Sequence, residues 1–581
     1  MAAEKLIETD VVIIGGGLAG CLAAIQARQL NVDVTLVDKN FVSRTGDSHI
    51  TGGMIEIFNP EWGHDFDEWM NYTFEAGEYL IDRDWVEINR RDSYARFRDL
   101  VSWGVEFAKD AEGKIMELSY GTGVPIRTLL LHSRTLMPAL RGKALEKGVK
   151  ILDRIFITDL LKQDGRICGA VGFHSREGNF YTFKAKAVVN AAGRCHYKTP
   201  TAACAYGTGD SYAMGYRAGA ELTSMEFCGR RAPTAAICDA MVPPASALLR
   251  LRGGVVNAKG EQFYERYSPK YKASVPSHWL MCWAFEVHAG RGPIYYNYDV
   301  LTPEDKKLWK EKYLGKIQGY CIPHQFEQSG IEMTGKVEAK ATQLGGAGGL
   351  RLINTGCETS LPGLYAAGDS GANNRYCAGL PTTGTALQNA AVAGHRAGQA
   401  AAEYALETKK PVIDEKEVAR LKEITFMPLR RVGGFSPDCV LERLQYTIIP
   451  YDILFIRHGK RLQAALTMVE FFRDHFVPKL WAKDIHDLVK ANEIRNMILT
   501  AEMMLRSSLF RTESRGEFYR EDYPRRDDKN WLAWTVLKEE NGEMKLDKLP
   551  MPVKWKPDRS LSYRDKYDFW RFPADVDPKE I

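Results

Sequence analysis

The strongest constraint on the fold of this sequence is a glycine-rich turn near its start, which lies between two apolar runs. An apolar run enters the turn Gly15–Gly20, which reads GGGLAG, and a second apolar run ends in Asp38. Gly15 permits a tight turn, Gly17 lets the backbone approach a pyrophosphate, and Gly20 lets the following helix pack closely on a strand. The helix N-terminus then faces the phosphate charge, and Asp38 is placed to accept hydrogen bonds from a ribose. The pattern predicts a Rossmann-like dinucleotide-binding unit.

Length and charge narrow the class of protein further. The chain has 581 residues, more than one hydrophobic core usually supports, so several domains are expected. Its net charge of +4 is too small for this size to indicate nucleic acid or an anionic membrane as a partner. No apolar stretch approaches the length that crosses a bilayer. The nucleotide-binding pattern begins so soon after Met1 that no leader is expected, and the predicted location is the cytoplasm.

The cysteines do not follow a pattern that binds a metal or a cluster. None of the eleven belongs to a Cys-x-x-Cys pair, the usual sign of structural zinc or of an iron–sulfur cluster. The sequence therefore predicts reduced, mostly buried thiols and no metal site in this chain. If electrons leave the protein through an iron–sulfur cluster, we expect that cluster on a partner subunit.

Later apolar runs indicate that the nucleotide-binding unit is not contiguous. A strand pair is predicted within 151–173, and a buried strand within 185–193 ends in a small-residue turn. A third strand, 363–369, ends in Gly-Asp, and a helix rich in small residues follows over about 385–402. The expected fold class is α/β, a Rossmann-like unit with an inserted α+β cap, then a helical domain and a tail. The predicted boundaries are 1–225 and 340–405 for the nucleotide-binding domain, 226–339 for the cap, 410–510 for the helical domain and 511–581 for the tail.

Motifs spread along the chain resemble, in order, those of one flavoprotein superfamily. They are Arg44–Gly46 with Gly52–Met54, Val189–Gly193, Gly207–Asp210, Met225–Phe227, Gly260–Tyr267, Glu286–Pro293, Glu358–Asp369 and Arg511–Gly516. With the opening turn, they make the chain similar to the flavoprotein subunits of the succinate dehydrogenase and fumarate reductase superfamily, which includes the adenylylsulfate reductase alpha subunit. The likeness covers nearly the whole chain and implies an FAD-dependent oxidoreductase subunit.

The resemblance implies FAD, bound without a covalent link, and the residues that would hold it. Gly15–Gly20 would contact the pyrophosphate, Asp38 the adenosine ribose and Asp369 the ribityl chain. The helix beginning at Thr385 would direct its N-terminal dipole at the N1–C2=O edge of the flavin and stabilise the reduced anion. The full expected set is Gly15, Gly17, Gly20, Asp38, Lys39, Arg44, Thr45, Ser48, His49, Gly52, Gly53, Ala192, Gly193, Thr208, Asp210, Asp369, Thr385, Ala386 and Leu387.

His49 is considered separately because succinate dehydrogenases attach FAD covalently to a histidine in a Ser-His-Thr motif. Ser48–Thr51 is similar to that motif, but only three residues separate His49 from Gly53. The covalent motif has a longer spacer, and this segment is closer to that of the noncovalent reductases. We therefore expect His49 to line the flavin pocket.

Several groups that handle dicarboxylates in the carbon–carbon enzymes of the superfamily are missing. A His-Pro-Thr motif should follow Met225–Phe227, but residues 228–234 contain no histidine and place Arg231 near its position. A second family histidine is absent from Ala341–Gly346, and the stretch before Glu286 lacks the proton-donating arginine. Simple fumarate or succinate chemistry is therefore not expected. The remaining candidates for substrate binding and proton transfer are Arg231, Arg375 and His278.

Three functions stay open at this point. The first is two-electron transfer between the flavin and a small molecule under the cap, by desaturation of a carbon–carbon bond or reduction of an activated alkene, as in most of the superfamily. The second is sulfur chemistry like that of adenylylsulfate reductase, with cationic groups drawn from Arg230, Arg231, Arg250 and Arg252. The third is an electron-transfer protein without a substrate, which the lost histidines favour and the retained cap opposes. The resemblance also implies an iron–sulfur partner subunit; no nucleic acid and no direct membrane span are expected.

Overall fold

The computed structural model describes most of the chain, with its gaps mainly between residues 200 and 383. The described residues are 3–110, 112–119, 124–199, 207–230, 234–235, 253–267, 276–308, 334–340, 343–346, 348–372, 384–552 and 554.

Helices occur throughout the described chain and dominate it after residue 384. They are α1 Leu18–Gln29, α2 Phe66–Ala76, α3 Arg83–Ser102, α4 Ser133–Glu146, α5 Asp210–Ala218, α6 Tyr264–Tyr267, α7 Pro276–His288, α8 Pro303–Leu308, α9 Thr385–Glu407, α10 Glu415–Arg430, α11 Pro437–Ile448, α12 Tyr451–Leu454, α13 Gly459–Phe471, α14 Ile485–Phe510 and α15 Asp528–Trp531. None of the described helices is both long enough and apolar enough to cross a bilayer.

Strands lie mostly in the first two thirds of the chain. They are β1 Glu4–Ile14, β2 Val34–Asp38, β3 Met54–Glu56, β4 Glu117–Ser119, β5 Arg127–Leu130, β6 Lys150–Asp153, β7 Ile155–Gln163, β8 Arg166–His174, β9 Phe180–Asn190, β10 Leu222–Thr223, β11 Cys228–Arg230, β12 Thr234–Ala235, β13 Val255–Val256, β14 Ile294–Asn297, β15 Lys336–Lys340, β16 Gln343–Gly346, β17 Gly349–Leu350, β18 Leu364–Ala366, β19 Ile456–Arg457, β20 Tyr519–Arg520, β21 Ala533–Glu540 and β22 Glu543–Pro550.

The central sheet has the strand order β6-β2-β1-β9-β8-β7, and β18 also pairs with β9. The pairs among β6, β2, β1, β9 and β18 are parallel, while β7, β8 and β9 pair antiparallel. The run Val11–Ile14 is buried on both faces, as parallel strands covered by helices usually are. The predicted α/β fold class and the predicted strand pair, now β7 and β8, are confirmed.

The late strand and helix join the sheet built by the start of the chain. Leu364 pairs with Val188 in β9, and α9 packs against α1 through small residues. A Cβ atom built on Gly394 would lie 2.4 Å from the carbonyl oxygen of Ala19. The close approach of the two helices therefore requires glycine at this position.

A second set of small sheets is built by residues 228–346, which lie in sequence between the two parts of the nucleotide-binding unit. One sheet has the order β12-β15-β14-β13, and β11 pairs with β16. Nearby, the fully buried carboxylate of Glu286 accepts hydrogen bonds from Arg291 at 2.9 Å and Tyr267 at 2.7 Å. Burial alone would raise the pKa of Glu286, but hydrogen bonds from Arg291 and Asn257 lower it to about 2. This buried charge is fully paired, so two of the resemblance motifs serve to hold these elements together.

Residues 533–550 form an antiparallel hairpin that pairs with β10 of the first unit. β21 pairs with β22 and with β10, and β10 pairs with β17, giving the order β17-β10-β21-β22. Leu222 of β10 lies opposite Leu537 of β21. Side chains of β21 alternate between buried and partly exposed as far as Leu537, the period of a half-buried strand. The sequence pattern predicted only a tail here and did not predict the hairpin.

Candidate cofactor site

A cavity lies at the carboxyl ends of β1, β2, β9 and β18. Its walls come from the turns that follow these strands, from the segment before β3, from β7 and from the first turn of α9. In open α/β sheets, ligands bind at this edge because the turns there present backbone amides and helix N-termini. The wall includes Ile14–Ala19, Asp38–Asn40, Thr45–Ser48, Thr51, Gly52, Met54, Ile155–Ile157, Ala191–Arg194, Gly207, Asp210, Met214, Ala367–Asp369, Gly384, Ala386, Leu387 and Ala390.

The helix N-termini of α1 and α9 lie on this cavity and follow a glycine, as does that of α5, whose first residue Asp210 also lines the cavity. Gly17 precedes α1 and Gly384 precedes α9, and neither glycine supplies a side-chain cap. By contrast, α2, α3, α10, α11 and α14 are each capped by an aspartate or serine side chain. In α1 the Leu18 amide donates to Ser48 Oγ at 3.0 Å. First-turn amides without such a partner and the positive end of the helix dipole favour an electron-rich ligand. One long ligand with two such groups, a diphosphate and a pyrimidine carbonyl, fits this arrangement.

The glycine turn fixes how closely the backbone elements approach each other. Gly15 has a φ of +103°, and a Cβ atom built on it would lie 2.3 Å from the carbonyl oxygen of Ala191. A Cβ atom on Gly20 would lie 1.8 Å from the carbonyl oxygen of Gly15. Neither position has room for a side chain. The turn therefore holds the backbone at the edge of the cavity, where Asp38 accepts from the Gly16 amide and Ser48 Oγ accepts from the Leu18 amide.

Asp38 lies at the end of β2 and lines the cavity. Its Oδ2 accepts a hydrogen bond from the amide of Gly16 at 2.8 Å, and its Oδ1 accepts one from the amide of Asn40 at 2.8 Å. Burial raises the pKa of Asp38, and the two backbone hydrogen bonds oppose that rise. The carboxylate is held in one orientation next to the glycine turn, as the binding of a ribose hydroxyl requires.

Lys39 connects the cavity to the distant helix α14. Its Nζ donates to Thr208 at 2.6 Å, to Asp210 at 2.9 Å and to Glu493 of α14 at 2.9 Å. Burial disfavours the charged amine, but the attraction of the two carboxylates outweighs burial and raises the pKa of Lys39. Lys198 contacts the other oxygen of Glu493. A cation at the cavity wall is therefore held partly by the helical part of the chain.

Arg194 is a cavity residue that the sequence pattern did not predict. It follows the turn after β9, and its guanidinium contacts the carboxylate of Asp369 after β18. The turns are also joined by a hydrogen bond from the Gly193 amide to Ser370 Oγ at 3.0 Å. The signal available in the sequence was an arginine directly after a small-residue turn. Its partner lies far along the chain, so the pairing needed the fold.

The structure brings most of the predicted cofactor residues to this one cavity. Those lining it are Gly15, Gly17, Asp38, Lys39, Thr45, Ser48, Gly52, Ala192, Gly193, Asp210, Asp369, Ala386 and Leu387. Six predicted residues do not line the cavity. Gly20 lies within α1, Thr208 contacts Lys39 and Thr385 contacts Glu56, while Arg44, His49 and Gly53 are sequence neighbours of lining residues. Contact of His49 with the flavin, and the noncovalent link, stay predictions.

The candidates for substrate chemistry cannot be placed beside this cavity. Arg231 and Arg375 lie outside the described residues. His278 belongs to α7, and its side chain lies outside the described part of the chain. Among the described residues, no group of three or more His, Cys, Asp or Glu side chains is arranged to hold a metal ion. The roles of the three candidates stay predictions.

Two family models match the chain. One, described as an FAD binding domain, matches residues 10–375, and the other, described as a fumarate reductase flavoprotein C-terminal region, matches residues 446–563. The chain belongs to the fumarate reductase and succinate dehydrogenase flavoprotein family. FAD is its cofactor, and this flavoprotein is an FAD-dependent oxidoreductase. The predicted resemblance is confirmed, and the glycine cradle and the helix N-termini of α1 and α9 fit FAD.

Curated relatives and a solved structure match nearly the whole flavoprotein. It is 28% identical to a fumarate reductase (CoM/CoB) subunit of Methanothermobacter marburgensis, over 90% of this chain and 95% of that protein. It is also 28% identical to the fumarate reductase flavoprotein subunit of Mycobacterium tuberculosis, over 94% of this chain and 98% of that protein. Adenylylsulfate reductase from Archaeoglobus fulgidus superposes with a TM-score of 0.81 at 25% identity, covering 96% of this chain and 98% of that one.

Asp369→Asn is expected to weaken FAD binding about ten- to hundred-fold. The substitution removes a charge-assisted contact and leaves Arg194 buried without a counter-charge, a loss of about 1.5–3 kcal/mol. Titration of the apoprotein with FAD, followed by flavin fluorescence, measures the change. Asp33→Asn is the control, because Asp33 has an 80% exposed side chain and lies away from the cavity. Equal FAD affinity in the D369N and D33N variants would contradict the role of the pair.

Proposed function

We propose that this flavoprotein passes two electrons between FAD and a small substrate held under the cap, and so desaturates a carbon–carbon bond or reduces an activated alkene. The observation that carries the proposal is the N-terminus of α9, at Gly384 and Ala386, on the same cavity as the nucleotide turn. A helix dipole there favours negative charge on the pyrimidine side of a flavin, as two-electron chemistry requires. When bound, FAD supplies the two-electron redox chemistry; the residues of this chain supply its binding, orientation and electrostatics.

The chain's own residues have separable tasks in this proposal. Arg194 and Asp369 join the turns after β9 and β18 and so fix the middle of the cofactor cavity. The paired Glu286 and Arg291 keep the cap elements rigid, so that a closed cap excludes water from the reacting atoms. Arg231, Arg375 and His278 are the proposed groups for binding the substrate and moving its proton.

The substrate is proposed to differ from fumarate and succinate. The histidines and the cap arginine that handle dicarboxylates in the carbon–carbon enzymes are absent from the matching stretches of this sequence. The two relatives named above are fumarate reductase subunits, which supports the carbon–carbon reaction class. A different set of polar groups under the cap would then select an unsaturated acid or thioester of another shape.

An iron–sulfur protein is the proposed electron partner. The relatives are named as subunits, which indicates assembly with other chains in their case. Among the described residues of this chain, no cysteine-rich group could hold a cluster. In alkene reduction the electrons reach FAD from another redox centre, and in desaturation they leave FAD to one. A ferredoxin-like subunit would serve in either direction. The cytoplasmic location also stays part of this proposal.

Sulfur chemistry is the second candidate function. The likeness to adenylylsulfate reductase over nearly the full length of both chains favours it. It requires cationic groups for sulfate and nucleotide phosphate, for which Arg230, Arg231, Arg250 and Arg252 are the candidates. Their side chains lie outside the described part of the chain.

Reoxidation of the reduced flavoprotein tests these functions directly. The FAD-loaded protein is photoreduced without oxygen and mixed with fumarate, other unsaturated acids, their thioesters, adenylylsulfate or a ferredoxin, while flavin absorbance is followed. We expect rapid reoxidation by one alkene other than fumarate. Reoxidation by adenylylsulfate would replace the proposal with the sulfur reaction. Reoxidation by ferredoxin alone would make the protein an electron-transfer component without a substrate.

A further inference from the structure

A seam of polar side chains runs between α3 and α9, away from the cofactor cavity. We call it the polar seam; its members are Glu56 of β3, Asn89, Asp92 and Arg96 of α3, and Thr385, Gln388, Asn389, His395 and Arg396 of α9. The α9 members are spaced at intervals of three, four and seven residues, so they share one helix face. The opposite face, with Ala386, Leu387 and Ala390, lines the cofactor cavity. The polar seam and the cavity therefore meet only at the N-terminus of α9.

The inner end of the polar seam is a buried carboxyl group. Glu56 is 1% exposed, and Thr385 Oγ1 donates a hydrogen bond to its Oε1 at 2.6 Å. The backbone of Glu56 lies against Gly384, whose own backbone lines the cavity. Burial raises the pKa of Glu56, while Arg90 of α3 and the Thr385 hydrogen bond oppose the rise. Thr128 lies opposite Glu56 on β5 and carries no charge.

The middle of the polar seam contains buried amides that lack protein partners. Gln388 is 1% exposed, and neither its Oε1 nor its Nε2 has a hydrogen-bond partner in the described structure. Asn89 donates to Asn389 at 3.3 Å, but Asn89 Oδ1 and Asn389 Nδ2 are unpartnered among the described residues. Buried polar atoms of this kind are satisfied by internal water, which needs several polar partners at one place. Gln388 and Asn389 are neighbours on α9, so their unpartnered atoms lie on one turn of that helix.

The outer end of the polar seam reaches the surface. Arg396 donates to Asp92 at 2.7 Å, and both side chains are about 30% exposed. His395 lies beside this pair. Burial and the nearby Arg96 lower the pKa of His395 to about 4, so its ring is neutral near pH 7 and can accept a proton on one nitrogen while releasing one from the other.

We propose that the polar seam carries protons from solvent to Glu56, which takes up one proton as negative charge develops at the cavity end of α9. The electrons go to FAD from an external donor, and the carboxylate of Glu56 gains a proton to become a carboxylic acid. Charge beside the helix N-terminus is thus partly compensated without opening the cap to water. Glu56 acts as a positioning and charge-compensating residue and does not touch the substrate.

Proton uptake during reduction of the FAD-loaded protein tests the proposal without any substrate. A flash-generated deazaflavin radical reduces the flavin in weak buffer, while a pH-indicator dye and flavin absorbance are followed together between pH 6 and 9. We expect E56Q to take up fewer protons per flavin than the wild type. The slope of the flavin midpoint potential against pH should fall as well. Q388L should take up as many protons as the wild type, but about ten-fold more slowly.

Gln399→Leu is the matched control, because Gln399 is an exposed glutamine of the same helix, bonded to Glu403. Q399L should match the wild type in the number of protons taken up per flavin and in the rate of proton uptake. If E56Q and the wild type take up equal numbers of protons per flavin, Glu56 is not the proton acceptor. If Q388L and Q399L take up protons at equal rates, the polar seam is not the proton route. If E56Q does not retain FAD, the Q388L and Q399L pair decides the question. Failure here would leave the reoxidation experiment above unaffected.

Discussion

Gly20→Ala is expected to abolish stable retention of FAD. A single methyl group at this position would lie 1.8 Å from the carbonyl oxygen of Gly15, a backbone atom that cannot move independently of the turn. Relief of the clash must shift α1 from the sheet and displace the amides that face the diphosphate. We expect FAD affinity to fall at least about a hundred-fold, the loss of roughly 3 kcal/mol that backbone displacement in a packed core costs. Gel filtration followed by flavin absorbance measures the retained cofactor.

Gly142→Ala is the control for Gly20→Ala, because it replaces a glycine that is not crowded by neighbouring atoms. Gly142 lies inside α4, and a Cβ atom built on it would have no atom within 4 Å. Alanine there is expected to stabilise the protein by about 0.5–1 kcal/mol, because glycine is a poor helix former. The G142A variant should keep its FAD. Full FAD retention in G20A would show that the turn tolerates a shifted helix and would refute the requirement for glycine at position 20.

Arg511→Met is expected to destabilise the protein by about 3–5 kcal/mol, which is the range for breaking a buried ion pair from one side. Arg511 is fully buried, and it donates to Glu226 and to Glu513 at 2.7 Å each. Methionine fills similar space but removes the cation that both carboxylates contact. The main-chain carbonyls of Trp531 and Ala533 also lose a donor. Urea unfolding followed by tryptophan fluorescence measures the change in the free energy of unfolding.

An exposed ion pair provides the comparison for this prediction. Arg91 and Glu87 pair at 2.7 Å on α3, but their side chains are 61% and 44% exposed. Arg91→Met should change the free energy of unfolding by less than about 0.5 kcal/mol, because water solvates both charges. Similar losses in R511M and R91M would mean that the buried cluster does not brace the end of the chain against the first unit.

The local signals in the sequence were sufficient for the nucleotide-binding core. The Gly15–Gly20 turn, the acid at Asp38 and the late strand ending in Asp369 each depend on residues close together in sequence. Glycine and β-branched runs carry that information because their backbone preferences are local. The helix starts at Gly17 and Gly384 on the cavity were predicted by the same means.

Contacts between distant parts of the chain were not predictable from local patterns. Arg194 was overlooked because nothing near it in sequence marks Asp369 as its partner. The hairpin of β21 and β22 was not predictable because its many charged residues are typical of a solvated tail until Leu537 is placed opposite Leu222. The hydrogen bond from Lys39 to Glu493 of α14 is a further contact between distant parts of the chain. Each depends on tertiary structure that one sequence does not encode in its local pattern.

The order in which the sheet strands occur along the chain has a consequence for how the protein is made. β9 lies between β1, from the first residues, and β18, from residue 364 onward, and α9 follows β18. A ribosome adds about 5–20 residues per second, so roughly twenty seconds or more separate synthesis of the first glycine turn from synthesis of α9. During that interval the cofactor cleft lacks one wall. Capture of FAD by the complete cleft therefore follows the synthesis of α9, which ends at residue 407 of 581.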